Sequence, residues 1–247
     1  DNEENEDDDV WGHALSAACC LQKLSQLLKN DVLQMVVQFV AQNIQDPNWK
    51  NKYAALMALG SITEGPDKQE FLKVIIQDMQ NLLSMFSDKS SKVREGISWV
   101  MSRICENHAD VIANPTIIQQ FMQNVGQAIK DTPRISNQCC AALMKLASAL
   151  EPTSNETSNA ITPFFNDLLM TLTQNAERED FQGSGVDLIQ ASYVTLTTLV
   201  QNCCSSSLQS VYQLMIPVLQ KLEQSLDANN AHTERSQAIQ DSICGLL

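Results

Sequence analysis

Apolar residues recur along this chain at helical spacing almost from end to end. Leu33, Val36, Val37, Val40 and Ile44 fall at i, i+3, i+4, i+7 and i+11, behind Asp31 as a candidate N-cap. Leu72, Ile75, Met79, Leu82, Leu83 and Phe86 repeat the template, as do Ile118, Phe121, Met122, Val125 and Ile129, and then Phe165, Leu168, Leu169 and Leu172. A last pattern runs through Leu208, Val211, Met215, Leu219 and Leu222, with a kink expected at Pro217. No segment alternates as a strand would. The spacing predicts helices over 12–28, 31–44, 50–63, 68–86, 92–107, 116–129, 134–149, 160–173, 185–202, 207–226 and 232–246.

These helices repeat. A shift of 42 residues carries Asp46 onto Asp88, Lys50 onto Lys92, Lys52 onto Arg94, Ile62 onto Ile104 and Glu64 onto Glu106. A second shift puts Arg134 on Lys92. Two helices per unit with a period near 40–47 residues mark HEAT or armadillo arrays, whose units bury their apolar faces only by stacking. The expected fold is therefore all-α: a right-handed HEAT-repeat solenoid, a superhelical stack of antiparallel A/B helix pairs. Residues 1–10 are expected to be a mobile acidic loop, and 11–247 one continuous array of about five to six repeats. The pairs lie near 31–63, 68–107, 116–149, 160–202 and 207–246, and the lone helix 12–28 is a B helix without its A partner, as expected of a chain that starts inside a loop.

Composition narrows the function. No stretch of 18 apolar residues predicts a membrane span, and no basic and apolar leader predicts secretion. Of the thirteen net negative charges, seven come from Asp1, Glu3, Glu4, Glu6, Asp7, Asp8 and Asp9. Such a run is either a solvated segment or a lure for a basic partner. Direct nucleic-acid binding is disfavoured, because neutralising phosphates takes a basic surface. Six of the eight cysteines form the adjacent pairs Cys19-Cys20, Cys139-Cys140 and Cys203-Cys204. Without CxxC spacing they predict no metal site or disulfide framework, but small buried apolar residues in a reducing compartment.

Helix 92–107 carries the functional argument. At 100° per residue Val93, Ile97, Val100 and Ile104 cluster within about 60°, which is the buried stripe. Glu95, Trp99, Ser102 and Glu106 cluster opposite. A basic helix laid on that face would stack a cation on the indole and pair with the carboxylates. Alternatively, Trp99 packs against the adjacent repeat. The aligned face carries Tyr53, Met57, Gly60 and Glu64 in the preceding repeat, and Asn137, Ala141, Met144 and Ser148 in the following one. Trp11 follows the acidic run directly, and Trp49 is expected to plug a repeat junction. Cys105 and His108 lack an orienting third group and an oxyanion hole, so no catalytic, metal or cofactor site is expected and the chain reads as a non-enzyme.

Three segments, in order, give the chain a family likeness. Glu3-Glu4-Asn5-Glu6-Asp7-Asp8-Asp9-Val10-Trp11 is similar to the acidic loop of the eighth HEAT repeat of the importin-β (karyopherin-β) family. Asp46-Pro47-Asn48-Trp49 through Ala54-Ala55-Leu56-Met57-Ala58-Leu59-Gly60-Ser61-Ile62-Thr63-Glu64-Gly65-Pro66 resembles that family's PDW…AAxMAxGxIxEGP stretch. Val93-Arg94-Glu95 and Ser98-Trp99-Val100-Met101-Ser102-Arg103-Ile104-Cys105-Glu106 resemble its VRDxxAWxxGRICE helix. Residues 131–202 match more loosely, and 203–247 chiefly by pattern.

The resemblance implies a nuclear import receptor that shuttles between cytoplasm and nucleus through the pore. Its partners would be the basic importin-β-binding (IBB) helix of importin-α or basic cargo, the GTPase Ran, whose GTP form releases cargo, and phenylalanine-glycine nucleoporins. Trp11 and Trp99 match inner-face tryptophans that grip the basic helix, with Glu95, Glu106 and Glu64 beside them. Glu3, Glu4, Glu6, Asp7, Asp8 and Asp9 match the loop that meets Ran or a basic partner. Two departures predict altered contacts: Ala141 stands where a third tryptophan is expected, and Tyr53 replaces an Asp. A HEAT regulatory subunit of a phosphatase or other complex would share the repeat without needing the acidic loop joined to Trp11.

Overall fold

The computed structural model describes residues 13–153, 156–179, 187–226 and 233–246, so the acidic run and Trp11 lie outside the described residues. Among the described residues there is no strand, and the helices divide between two compact units that part after Asn107.

The first unit holds α1 (His13–Leu28), α2 (Asn30–Asn43), α3 (Trp49–Ser61), α4 (Lys68–Ser84) and α5 (Ser91–Asn107), with a 3-10 turn, Met85–Ser87, joining the last two. Helices α1, α3 and α5 pack side by side as one layer, while α2 and α4 form the other. Between the layers Leu56, Ile62, Phe71, Ile75, Met79, Leu83, Ile97 and Ile104 are each less than 3% exposed. Each helix is long enough to bury a stripe and too short to be stable alone, so this shared core is what holds them.

Local chemistry sets the helix ends. Asn48 caps α3 by accepting from the Lys50 N–H at 3.0 Å, and Asp67 caps α4 by accepting from Gln69 and Glu70. Asp31 is not the cap of α2. That helix starts at Asn30 behind Lys29, whose φ of 51° makes the tight reversal out of α1. Asp31 sits instead in the first turn, where its charge still suits the helix N-terminus. After α3 the chain turns at Gly65 with φ +133°, and a Cβ there would stand 2.3 Å from the Ser25 carbonyl oxygen on α1. Only glycine fits that approach.

The expected stripe of α5 is fully buried: Val93, Ile97, Val100 and Ile104 are all 0% exposed. The buried arc is wider than that stripe, however. Met101, Cys105 and Ser102 are covered too, because α5 packs sideways on α3 as well as inward. Ser102, expected to face outward, is therefore inside.

Successive repeats of this unit are tied by charge. Lys52 Nζ donates to Asp88 Oδ2 at 2.6 Å, Ser90 N–H donates to the other carboxylate oxygen at 2.9 Å, and Arg94 donates to the Asp88 and Lys89 carbonyls. The aligned Asp46 instead accepts from Asn48 N–H and the Asn51 amide within its own turn.

The second unit comprises α6 (Ala109–Ile112), α7 (Pro115–Ala128), α8 (Pro133–Ala149), α9 (Phe165–Ala176), α10 (Leu188–Gln201), α11 (Leu208–Ser225) and α12 (Glu234–Leu246). Helices α8, α10 and α12 form one layer, and α10 also packs on α9. Prolines at the first positions of α7 and α8 start those helices where a missing N–H costs nothing. Asp187 caps α10 by accepting from Gln190 N–H at 2.9 Å. Pro217 lies inside α11, which continues to Ser225.

A buried polar knot fastens three helices of this unit. Asn175 on α9 accepts from Ser136 Oγ of α8 at 3.0 Å and donates to Ser192 Oγ of α10 at 2.9 Å. Arg178 donates to the Asn175 side chain and to the carbonyls of Ile129 and Asp131, tying the turn before α8 to α9.

Candidate protein-binding face

Helices α3 and α5 meet through small residues that receive large ones. The Trp99 ring on α5 lies over Gly60 of α3, where an added Cβ would be 2.2 Å from Trp99 Cζ3. Two turns earlier on α3, Tyr53 lies over Gly96 of α5, where a Cβ would be 3.1 Å from both Tyr53 Cδ2 and Leu56 Cδ1. One turn beyond Trp99, Arg103 of α5 reaches Glu64 in the turn that follows α3, with 3.6 Å between guanidinium and carboxylate. The three contacts form successive rungs between parallel neighbours.

The packing of Trp99 against the adjacent repeat, the second of its two readings, is what the structure shows. The ring is packed against the adjacent repeat, and it remains only half-buried. Seated on Gly60, the indole stays partly accessible to solvent.

The carboxylates around it already have cations. Arg103 Nη1 donates to Glu106 Oε2 at 2.6 Å while Nη2 faces Glu64, so one guanidinium serves both acids. Glu95 faces Lys92 at 3.6 Å. Sequence reasoning placed Glu64, Glu95, Trp99 and Glu106 together but missed Arg103, although its spacing of three from Glu106 on one helix was a visible signal. Glu64 and Glu106 stay about half-exposed, with side chains 49% and 40% accessible.

The register that carries Trp99 holds Ala141 on α8. There a hollow of about 300 Å³ opens between α8 and α10, lined by Asn137, Ala141, Met144, Asp187, Ala191 and Val194. Trp49 does not close its junction tightly. It lines an open cavity of about 600 Å³ beside Lys52 and Asp88, with Lys50 Nζ 5.5 Å from its ring centroid.

Chemistry of other kinds finds little footing. Among the described residues no group of three or more His, Cys, Asp or Glu side chains could hold a metal ion. Cys105, Cys139, Cys140 and Cys204 are buried as expected, but Cys20 and Cys244 are exposed on α1 and α12. Burial pushes the Cys140 thiol up to about 11. Among the described residues no helix is long and apolar enough to cross a membrane.

Residues 120–247, more than half of the chain, match the family described as importin subunit beta-1-like, TPR repeats. The chain belongs to the importin subunit beta-1-like family. Importin subunit beta-1 of Saccharomyces cerevisiae is 32% identical over 252 residues, covering all of this chain and 28% of that protein. Yeast importin-β (Kap95p) solved with RanGDP superposes with a TM-score of 0.89 at 28% identity, over 100% of this chain and 29% of the other. The Kap95:Nup1 complex gives 0.87 at 28% identity, over 99% and 28%. The chain thus spans under a third of the length of these importin-β relatives. The family match falls on the C-terminal half, where the likeness in sequence is mostly pattern, and the relatives extend it across the acidic and Trp99 segments.

Proposed function

We propose that this chain is a segment of a nuclear transport receptor that carries proteins through the nuclear pore, binding basic helical segments on the face around Trp99. The observation that carries this is the partly exposed indole seated on Gly60, on a face that also carries Glu64, Glu95 and Glu106. A ligand cation over the exposed indole gains about 0.5–2 kcal/mol, and carboxylates beside it choose Lys or Arg over neutral residues. The basic segment is the IBB helix of importin-α or a stretch of basic cargo. Trp11 joins Trp99 in gripping it, and the run Glu3, Glu4, Glu6, Asp7, Asp8 and Asp9 draws in the basic partner or Ran. Ran-driven release and nucleoporin binding are in keeping with relatives solved with RanGDP and Nup1. The receptor works in cytoplasm and nucleus, and the role is binding without catalysis. The regulatory-subunit reading is not favoured, since the relatives covering nearly all of the chain include importin subunit beta-1 proteins.

Titration calorimetry with an IBB-type basic helix peptide, at two salt concentrations and with Trp99→Ala alongside, tests this. The expected result is salt-sensitive binding that the substitution weakens about three- to thirtyfold. Binding that ignores Trp99 would mean nonspecific attraction to an acidic chain, and an absence of binding would sink the reading for this segment.

A further inference from the structure

Arg103 is placed where a ligand's cation would have to go. Its side chain is 14% exposed, far less than the two carboxylates it serves, and it comes from the same helix as Trp99, one turn on. Nη1 makes a short bond of 2.6 Å to Glu106 Oε2, while Nη2, buried, has no hydrogen-bond acceptor and faces Glu64 Oε2 at 3.6 Å. The guanidinium is thus well satisfied on one side and poorly on the other. Lys92 stands in the same way against Glu95, at 3.6 Å. Arg103 and Lys92 thus offset part of the pull that Glu64, Glu95 and Glu106 exert on a ligand's cation.

We infer that Arg103 is an intramolecular competitor for the cation of a bound basic helix, holding Glu64 and Glu106 until a ligand Lys or Arg displaces it. The inference rests on the proposed reading that basic helices bind this face. An incoming guanidinium has the advantage at Glu64, where the present contact is a bare 3.6 Å ion pair with no hydrogen bond. A well-placed ligand Arg makes two parallel bonds to a carboxylate, which Arg103, divided between two acids, does not. Exchange of one cation for another leaves the local charge unchanged, so ligands with a single stray Lys gain little. Several basic residues in register are needed to displace Arg103 and cover Trp99 together. Arg103 in this way raises specificity for densely basic helices by lowering affinity for sparse ones.

The test is peptide affinity for the unsubstituted chain, Arg103→Gln, Arg103→Lys and Trp99→Ala, each at two salt concentrations, with circular dichroism melting to verify the fold. Arg103→Gln is expected to bind the basic helix about two- to fivefold tighter at low salt, with a steeper salt dependence, while Arg103→Lys stays near the unsubstituted chain. Unchanged or weaker binding by Arg103→Gln, with Trp99→Ala still impaired, overturns the competitor role and leaves the basic-helix reading standing. No binding by any of the four overturns both. On the unsubstituted chain, the Arg103 side-chain resonances in nitrogen-15 spectra are expected to move toward those of a free arginine as peptide is added. Resonances that stay fixed at saturation overturn the inference without any substitution.

Discussion

The indole of Trp99 lies over Gly60, so close that a Cβ there would stand 2.2 Å from the ring, and with the Tyr53–Gly96 contact it lets α3 and α5 pack closely. Gly60 is the next-to-last residue of α3, where a glycine costs less than the ~1 kcal/mol it would in a helix interior, and its presence has a packing reason. The ring is that reason.

Gly60→Ala sets these two effects against each other. Helix propensity favours alanine by less than about 1 kcal/mol this close to the helix end, whereas a methyl 2.2 Å from the ring forces α5 or the indole aside, at about 1–3 kcal/mol. The variant is expected to be less stable in urea denaturation. In a Trp99→Ala background the same change should become stabilising, and a sign that fails to reverse would show that something else fills the space.

The tie between repeats at Asp88 should appear as acid sensitivity. Burial pushes the Asp88 carboxyl up, but the Lys52 ammonium, the Ser90 N–H and the Arg94 charge outweigh it and hold its pKa below the ordinary carboxylate value. A carboxylate with a depressed folded-state pKa contributes stability above its unfolded pKa, near 3.9, and that contribution fades as pH falls through the folded value. Asp88→Asn should lower stability by about 1 kcal/mol at pH 7 and by less below pH 3. Melting temperature followed from pH 7 to about pH 2 checks it. A difference that persists undiminished in acid would place the loss elsewhere.

In the second unit, Asn175→Leu leaves the Ser136 and Ser192 hydroxyls without their shared partner inside the protein. Buried groups stranded this way cost about 1–3 kcal/mol each, so the expected loss is about 2–6 kcal/mol. Urea unfolding measures it. Adding Ser136→Ala to Asn175→Leu should recover part of the loss, since the stranded donor is removed.

Thiol chemistry separates the cysteines. Cys20 and Cys244 are exposed and should react with a disulfide reagent at pH 8, whereas Cys105, Cys139, Cys140 and Cys204 are buried and should react only as the protein opens. For Cys140 the protection is twofold, because a thiol with a pKa near 11 is almost wholly protonated at that pH. Rapid labelling of Cys140, located by mass spectrometry, would contradict the packing of α8 on α10.

The sequence by itself determined the helices, the stripe of α5 and the family likeness, because each is written in neighbours three to eleven residues apart. Val93, Ile97, Val100 and Ile104 follow from helical periodicity alone, and so does the placing of Glu64, Trp99 and Glu106 on faces that repeat every 42 residues. Only the tertiary structure decided what those faces meet. Ser102 went inside because α5 presses on α3 as well as inward, and Arg103 became the shared counter-ion of two acids, Glu106 on its own helix and Glu64 in the turn after α3. Gly60 proved to be a seat for an indole 39 residues away. Asn175 joined Ser136 and Ser192 from two other helices. Periodicity fixes which way a side chain leaves its own helix. Which side chain waits there depends on the distance and rotation between helices, and those are set by how the small and large residues of both surfaces interlock.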